Sequence, residues 1–89
     1  MALQILNAGP DPEILVGQIR QRIADALPGA EITVRAASPG HFEIRVVSEV
    51  FEGQSRVQQQ QRVYAAIAPM MRGAAPPVHA IDRLQTLVP

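Results

Sequence analysis

The chain has 89 residues, of which 47% are hydrophobic and only 3% aromatic, and its eight arginines balance eight acidic residues. This size and composition indicate one globular domain with an aliphatic core, and the charge balance disfavours a protein that binds nucleic acid through a basic excess. Because there is no cysteine, disulfides, thiol nucleophiles and thiolate metal ligands from this chain are excluded.

The N-terminal segment carries no targeting pattern. MALQILNAGPDPEIL lacks a basic region followed by a sustained apolar core, and no run in the chain approaches the 18 or so apolar residues of a membrane span. We expect residues 1–10 to be flexible and residues 11–89 to form the domain. We also expect a soluble cytoplasmic protein with no membrane partner.

The first predicted helix spans residues 12–27. Asp11 can accept hydrogen bonds from the free amides at the helix start, and Pro12 suits the first helical position. Pro28 and Gly29 end the helix. Its buried face is predicted from apolar residues spaced three and four apart: Leu15 or Val16, Ile19, Ile23, Ala26 and Leu27.

Two strands follow, EITVRAAS at 31–38 and HFEIRVVS at 41–48, with turn residues SPG at 38–40. Each alternates apolar and polar residues, which is typical of a strand with one wet face. They are predicted to form an antiparallel hairpin. The predicted core side consists of Ile32, Val34, Ala36, Phe42, Ile44 and Val46.

The glutamine-rich segment SRVQQQQRVY at 55–64 is predicted to be helical. Ser55 followed by Gln58 fits a capping box, and glutamine has good helix propensity. Pro69 should end or kink the helix near Ala68, leaving MMRG as a short extra turn. The predicted apolar stripe is Val57, Tyr64, Ile67, Ala68 and Met71, so Tyr64 is expected in the core.

A last strand is predicted for VHAIDRLQTL at 78–87, although Asp82 interrupts its alternation. The element order is therefore αββαβ. Each element has one apolar face, so we expect an α+β two-layer sandwich. A three-stranded mixed sheet, its third strand parallel to its second, would carry both helices on one face and leave the other face open.

From residue 41 onward the sequence resembles the BolA family. HFEIRVVSEVFEGQSRVQQQQRVYAAI is similar to the family's pattern of His before an aromatic residue, a strand ending in Ser, Phe-x-Gly and a helix with Tyr. VHAI at 78–81 looks like its C-terminal signature. Many members carry Arg-His-Arg where this chain has glutamines at 59–61, a departure that resembles the bacterial IbaG/YrbA-like branch. The resemblance covers about residues 12–88.

The resemblance implies a fold like the class II KH domain and a non-enzymatic role. It implies pairing with a monothiol glutaredoxin and glutathione around a shared 2Fe-2S cluster, in iron-sulfur trafficking or iron- and stress-linked regulation. His79 stands where the family's cluster ligand stands. His41 matches the His before the aromatic residue rather than the usual second ligand, and its polar-face position makes it a second candidate.

Simpler interpretations stay open for each candidate. A single His among apolar residues is often an ordinary packed side chain, and polar helix residues often only face water. Gln58, Gln59 and Arg62 are predicted to project outward, as weak candidates for contacts with a partner or nucleic acid.

Two other functions are open as well. One is a DNA-binding regulator that uses the glutamine helix, although the Gly-x-x-Gly loop of nucleic-acid-binding KH domains is absent. The other is a homodimer formed through the open sheet face or the edge of the third strand.

Overall fold

The computed structural model describes residues 11–89, so the predicted flexibility of residues 1–10 lies outside the described residues. The helices and strands confirm the predicted αββαβ order and the α+β class. They are α1 (Pro12–Ala26), β1 (Glu31–Ser38), β2 (His41–Val47), α2 (Arg56–Ile67) and β3 (Ala80–Leu87), with 3-10 turns at Glu49–Phe51 and Ala68–Met70.

The three strands form one mixed sheet in the order β1-β2-β3. β1 and β2 pair antiparallel, and β2 and β3 pair parallel, as predicted. Paired residues share a face, so Phe42, paired with Ile81, and Ile44, paired with Leu84, point toward the helices. The intervening residues of β2 point to the other, open face of the sheet.

Both helices pack on the same face of the sheet and share one hydrophobic core with it. Asp11 begins α1 by accepting a 2.8 Å hydrogen bond from the Glu13 amide, and Leu27 lies just past the last helical turn, where it remains buried. The fully buried side chains come from every layer: Ile19, Ile23, Leu27, Phe42, Val46, Phe51, Val63, Ile67 and Val78.

The start of α2 is a capping box, as predicted. The Ser55 hydroxyl accepts a hydrogen bond from the Gln58 amide, and the Gln58 side chain accepts one from the Ser55 amide. The helix ends at Ile67, and Pro69 falls in the following 3-10 turn because it has no amide to continue the ladder.

The predicted buried stripe of α2 was partly wrong. Val57 is 63% exposed and Tyr64 38% exposed, whereas Val63 and Ile67 are fully buried. Val63 and Tyr64 are adjacent on the helix, about 100° apart, so only one of them can face the sheet squarely. Val63 packs in the core, and the prediction that Tyr64 is a core residue was wrong.

β3 is shorter than predicted and contains a bulge. The amide of Val78 bonds to the Met70 carbonyl, so Val78 anchors the preceding loop in the core and pairing begins at Ala80. The register shifts between Phe42 and Glu43, whose partners are Ile81 and Arg83, so Asp82 is the extra residue. The bulge explains why Asp82 interrupts the alternation. No helix within residues 11–89 is long and apolar enough to cross a membrane.

Candidate functional site

Both histidines lie at one end of the sheet, where the β1–β2 turn meets the chain entering β3. The carbonyl of Gly40 accepts hydrogen bonds from the amides of His79, at 2.8 Å, and Ala80, at 3.2 Å. These bonds fix His79 against the turn that precedes His41. The sequence separates the two histidines by 38 positions, and the parallel pairing of β2 with β3 brings them together.

Gly40 is the residue that allows this approach. Its φ of +76° belongs to the left-handed region, and a Cβ at this position would overlap the His79 imidazole, lying 2.7 Å from its Cγ. The bare backbone of Gly40 therefore makes room for the ring. SPG was predicted as a turn, but its role in seating His79 was not.

His79 is exposed, as a ligand to a metal held by a second molecule must be. Neither of its ring nitrogens receives or donates a hydrogen bond among residues 11–89. An imidazole with free nitrogens at the surface is chemically competent to bind iron.

His41 is partly exposed and is held by a carboxylate. Its Nδ1 lies 2.8 Å from Oδ1 of Asp82, and the two side chains are 40% and 43% exposed. A carboxylate only accepts hydrogen bonds, so Nδ1–H donates and Nε2 is left as the free nitrogen. Metal-binding histidines are commonly oriented by a carboxylate in this way. From the sequence, Asp82 was noted only as an interruption of the alternation of the last strand, and its contact with His41 was not predicted.

The two rings are neighbours. Their centroids are 6.3 Å apart and the ring planes are nearly perpendicular, at 85°.

Within residues 11–89, no three His, Cys, Asp or Glu side chains are grouped so as to hold a metal. The two irons of a 2Fe-2S cluster take four ligands besides the bridging sulfides. The histidines fit such a cluster as a partial ligand set, and a second molecule would have to supply the thiolates.

The glutamine helix lies in a different part of the molecule. α2 is in the helical layer, whereas the His41 side chain is on the opposite face of the sheet, so the structure does not bring the two sets of candidates together. Gln58 and Arg62 are exposed, although the Gln58 amide group already caps its helix.

The prediction that Gln59 projects outward was wrong. Its Nε2 donates to the carbonyls of Phe51, at 3.2 Å, and Gln54, at 3.1 Å. Its Oε1 accepts a 2.8 Å hydrogen bond from the hydroxyl of Thr86 on β3. The side chain thus joins α2 to the preceding loop and to the sheet.

Comparison with known proteins agrees with this architecture. The family described as BolA-like protein matches residues 23–89. An uncharacterized protein from the rpoN-murA intergenic region of Acinetobacter guillouiae is 36% identical over 64 residues, which cover 72% of this chain and 74% of that protein.

Several solved structures are similar as well. A BolA protein homologue from Coxiella burnetii has a TM-score of 0.67 at 28% identity, covering 82% of this chain and 88% of its own. BolA1 from Mus musculus has a TM-score of 0.68 at 32% identity, covering 92% of this chain and 68% of its own. Assignment to the IbaG-like branch stays a prediction. The family match spans most of the described domain, and this chain belongs to the BolA-like protein family.

Proposed function

We propose that this chain is a non-enzymatic adaptor that pairs with a monothiol glutaredoxin and glutathione and shares a 2Fe-2S cluster with them. The role would lie in iron-sulfur trafficking or in iron- and stress-linked regulation. The observation that carries the proposal is the pair of adjacent, accessible imidazoles of His79 and His41 at one end of the sheet. Membership of the BolA-like family supports it.

Under this proposal, each residue at the histidine end of the sheet has its own role. His79 would offer a ring nitrogen directly, since both of its nitrogens are free of partners among residues 11–89. His41 would offer Nε2 while Asp82 holds Nδ1, and Gly40 would keep the two rings adjacent. When bound, the cluster supplies a one-electron redox centre whose potential is higher with histidine ligands than with thiolates alone.

The test is to mix the purified chain with cluster-loaded glutaredoxin and to record visible absorption and circular dichroism. We expect the wild-type chain to change the spectrum and His79→Ala to abolish or strongly alter that change. Gln61→Ala, an exposed change on α2, is the control and should behave like the wild type. A spectrum that the wild-type chain leaves unchanged, or equal behaviour of wild type and His79→Ala, would reject the proposal.

DNA binding through the glutamine helix is the alternative proposal, and it has less support. Gln59 is committed to internal hydrogen bonds, which leaves Gln58 and Arg62 as exposed candidates on this part of α2. A specific duplex complex that survives near-physiological salt and is lost in Arg62→Ala would favour it.

A further inference from the structure

The open face of the sheet carries a second surface, beside the histidines. We define the arginine face as the six outward-pointing residues that line a shallow depression of about 360 Å³ there: Thr33, Arg35, Glu43, Arg45, Arg83 and Gln85. Strand pairing arranges them in two rows across the sheet. One row is Arg35, Glu43 and Arg83, and the next is Thr33, Arg45 and Gln85.

The arginine face is positively charged although the whole chain is neutral. It holds three arginines and one glutamate, and that glutamate, Glu43, is paired with Arg35. Arg45 and Arg83 are exposed and have no ion-pair partner among residues 11–89. Two guanidinium groups on neighbouring strands are thus available to carboxylates of another molecule.

The arginine face is continuous with the histidine end. His41 precedes Glu43 on β2 and points to the same face, and Asp82 directly precedes Arg83. His41 and Arg45 are four positions apart, about 13 Å along the strand. At the far end the next row is Glu31, Val47 and Leu87, which adds one exposed carboxylate and apolar area that is partly exposed.

We infer that the arginine face is the docking surface for an acidic patch on the protein partner that brings the cluster to His79 and His41. The inference rests on the proposed function. Arginine next to apolar area is typical of protein–protein contacts, where opposite charges steer the encounter. A partner seated on this face lies beside both imidazoles, and so can present thiolates to them without leaving the sheet.

A second copy of this chain and a nucleic acid are both less complementary to the charge of the arginine face than an acidic protein surface is. A symmetric contact with a second copy of this chain would bring six arginines together with only two glutamates, each of which is already paired with Arg35. For nucleic acid, two uncompensated charges on a neutral chain would release few counterions. An acidic protein surface satisfies both guanidinium groups and does not require a basic excess.

The experiment compares two variants of equal charge change. Arg45→Glu/Arg83→Glu alters the arginine face, and Arg20→Glu/Arg22→Glu alters exposed positions on α1. The affinity of each for cluster-loaded monothiol glutaredoxin is measured by titration at low and at near-physiological salt. We expect at least a tenfold loss for the arginine-face variant at low salt, a smaller loss at higher salt, and little change for the α1 variant. Circular dichroism of each variant establishes that it is folded.

Cluster spectra at saturating partner separate this inference from the proposed function. The arginine-face variant should give the wild-type spectrum once it is bound, since both histidines are intact. Wild-type affinity in the arginine-face variant overturns the inference and leaves the proposed function standing. Absence of any complex with the wild-type chain rejects both. The inference is also overturned if the arginine-face variant keeps its affinity for glutaredoxin and loses only self-association or only duplex DNA binding.

Discussion

At the scale of single residues, the two imidazoles are held in place by different contacts. His41 is tied by Nδ1 to Asp82, whereas His79 has an exposed ring that is restrained through its backbone bond to Gly40. A tied ring presents one defined nitrogen, and an exposed ring can adjust to an incoming metal. The pair therefore combines one oriented imidazole with one adaptable imidazole.

Removing the charge of Asp82 should release His41. In Asp82→Asn we expect the ring of His41 to lose its preference for the Nδ1–H tautomer, because an amide can donate as well as accept. Nitrogen NMR of the histidine rings in the free protein measures this directly. We also expect affinity for the cluster-loaded partner to fall by about tenfold to a hundredfold, the usual effect of removing a group that orients a metal ligand.

Glu52→Gln is the matched control for Asp82→Asn, since it removes one exposed carboxylate from a residue outside the histidine end of the sheet. It should leave the ring signals and the affinity unchanged. If the His41 signals of Asp82→Asn match those of the wild type, the Asp82 contact does not control the tautomer.

Gly40→Ala should displace His79. The left-handed backbone at position 40 costs an alanine about 1–2 kcal/mol of folding stability, and the added methyl group would overlap the imidazole. Because His79 is exposed, its ring can swing outward, so we expect altered His79 NMR signals together with weaker binding of the cluster-loaded partner.

Gly29→Ala separates the two effects of Gly40→Ala. Gly29 has a similar φ, +84°, but nothing lies within 4 Å of a Cβ placed there. Thermal unfolding should therefore detect a loss of stability in both variants, while only Gly40→Ala changes His79. Equal His79 signals in the two variants would show that Gly40 does not seat the ring.

At the scale of elements, the glutamine helix is bonded to the sheet through two of its glutamines. Gln59 binds two loop carbonyls and Thr86, and Gln60 makes a longer 3.4 Å contact with the Leu84 carbonyl. The helix shares the hydrophobic core through only a few apolar positions, so these polar bonds help to set its position. The glutamine run is thus partly structural.

Gln59→Ala should destabilise the fold by about 1–3 kcal/mol, since it removes the donor to the Gln54 carbonyl and the acceptor of the Thr86 hydroxyl, while the Phe51 carbonyl keeps the Gln54 amide. Gln61→Ala, at an exposed position of the same run, should change stability by less than about 0.5 kcal/mol. Urea unfolding of the two variants measures the difference. Equal midpoints would contradict the structural role of Gln59.

The sequence predicted the elements better than it predicted which side chains they bury. Caps, alternation and turn residues are local signals, so αββαβ and the capping box at Ser55 were predicted from them, and the parallel third strand followed from the general rule for helical crossovers. The choice of Val63 over Tyr64, and the bond from Gln59 to Thr86, depend on how α2 rotates against β3. Such long-range packing leaves no periodic signal in one sequence.

At the scale of the whole molecule, the core and the polar face lie on opposite sides of the sheet. Both helices and the apolar face of the sheet form the core, which leaves the open face and its histidine end accessible. The resemblance pointed to His79 and His41 as separate candidates. Their adjacency, the tie to Asp82 and the arginine face appeared only once the strands were placed side by side.

The chain alone should not retain a 2Fe-2S cluster. No three potential ligands group within residues 11–89, and residues 1–10 contain no His, Cys, Asp or Glu. After incubation with iron, sulfide and glutathione followed by gel filtration, we therefore expect no stable visible chromophore on the chain by itself. Adding monothiol glutaredoxin to the incubation should yield a coloured complex of the two proteins.

The same incubation with a His41→Ala/His79→Ala double variant should leave the colour on the glutaredoxin, because the variant offers it no imidazole. Iron and sulfide analysis of each gel-filtration fraction gives the distribution. Stoichiometric iron on the isolated chain would contradict the prediction that the chain alone does not retain a cluster. Such a cluster would need four ligands, whereas this chain presents two adjacent imidazoles and no thiolate.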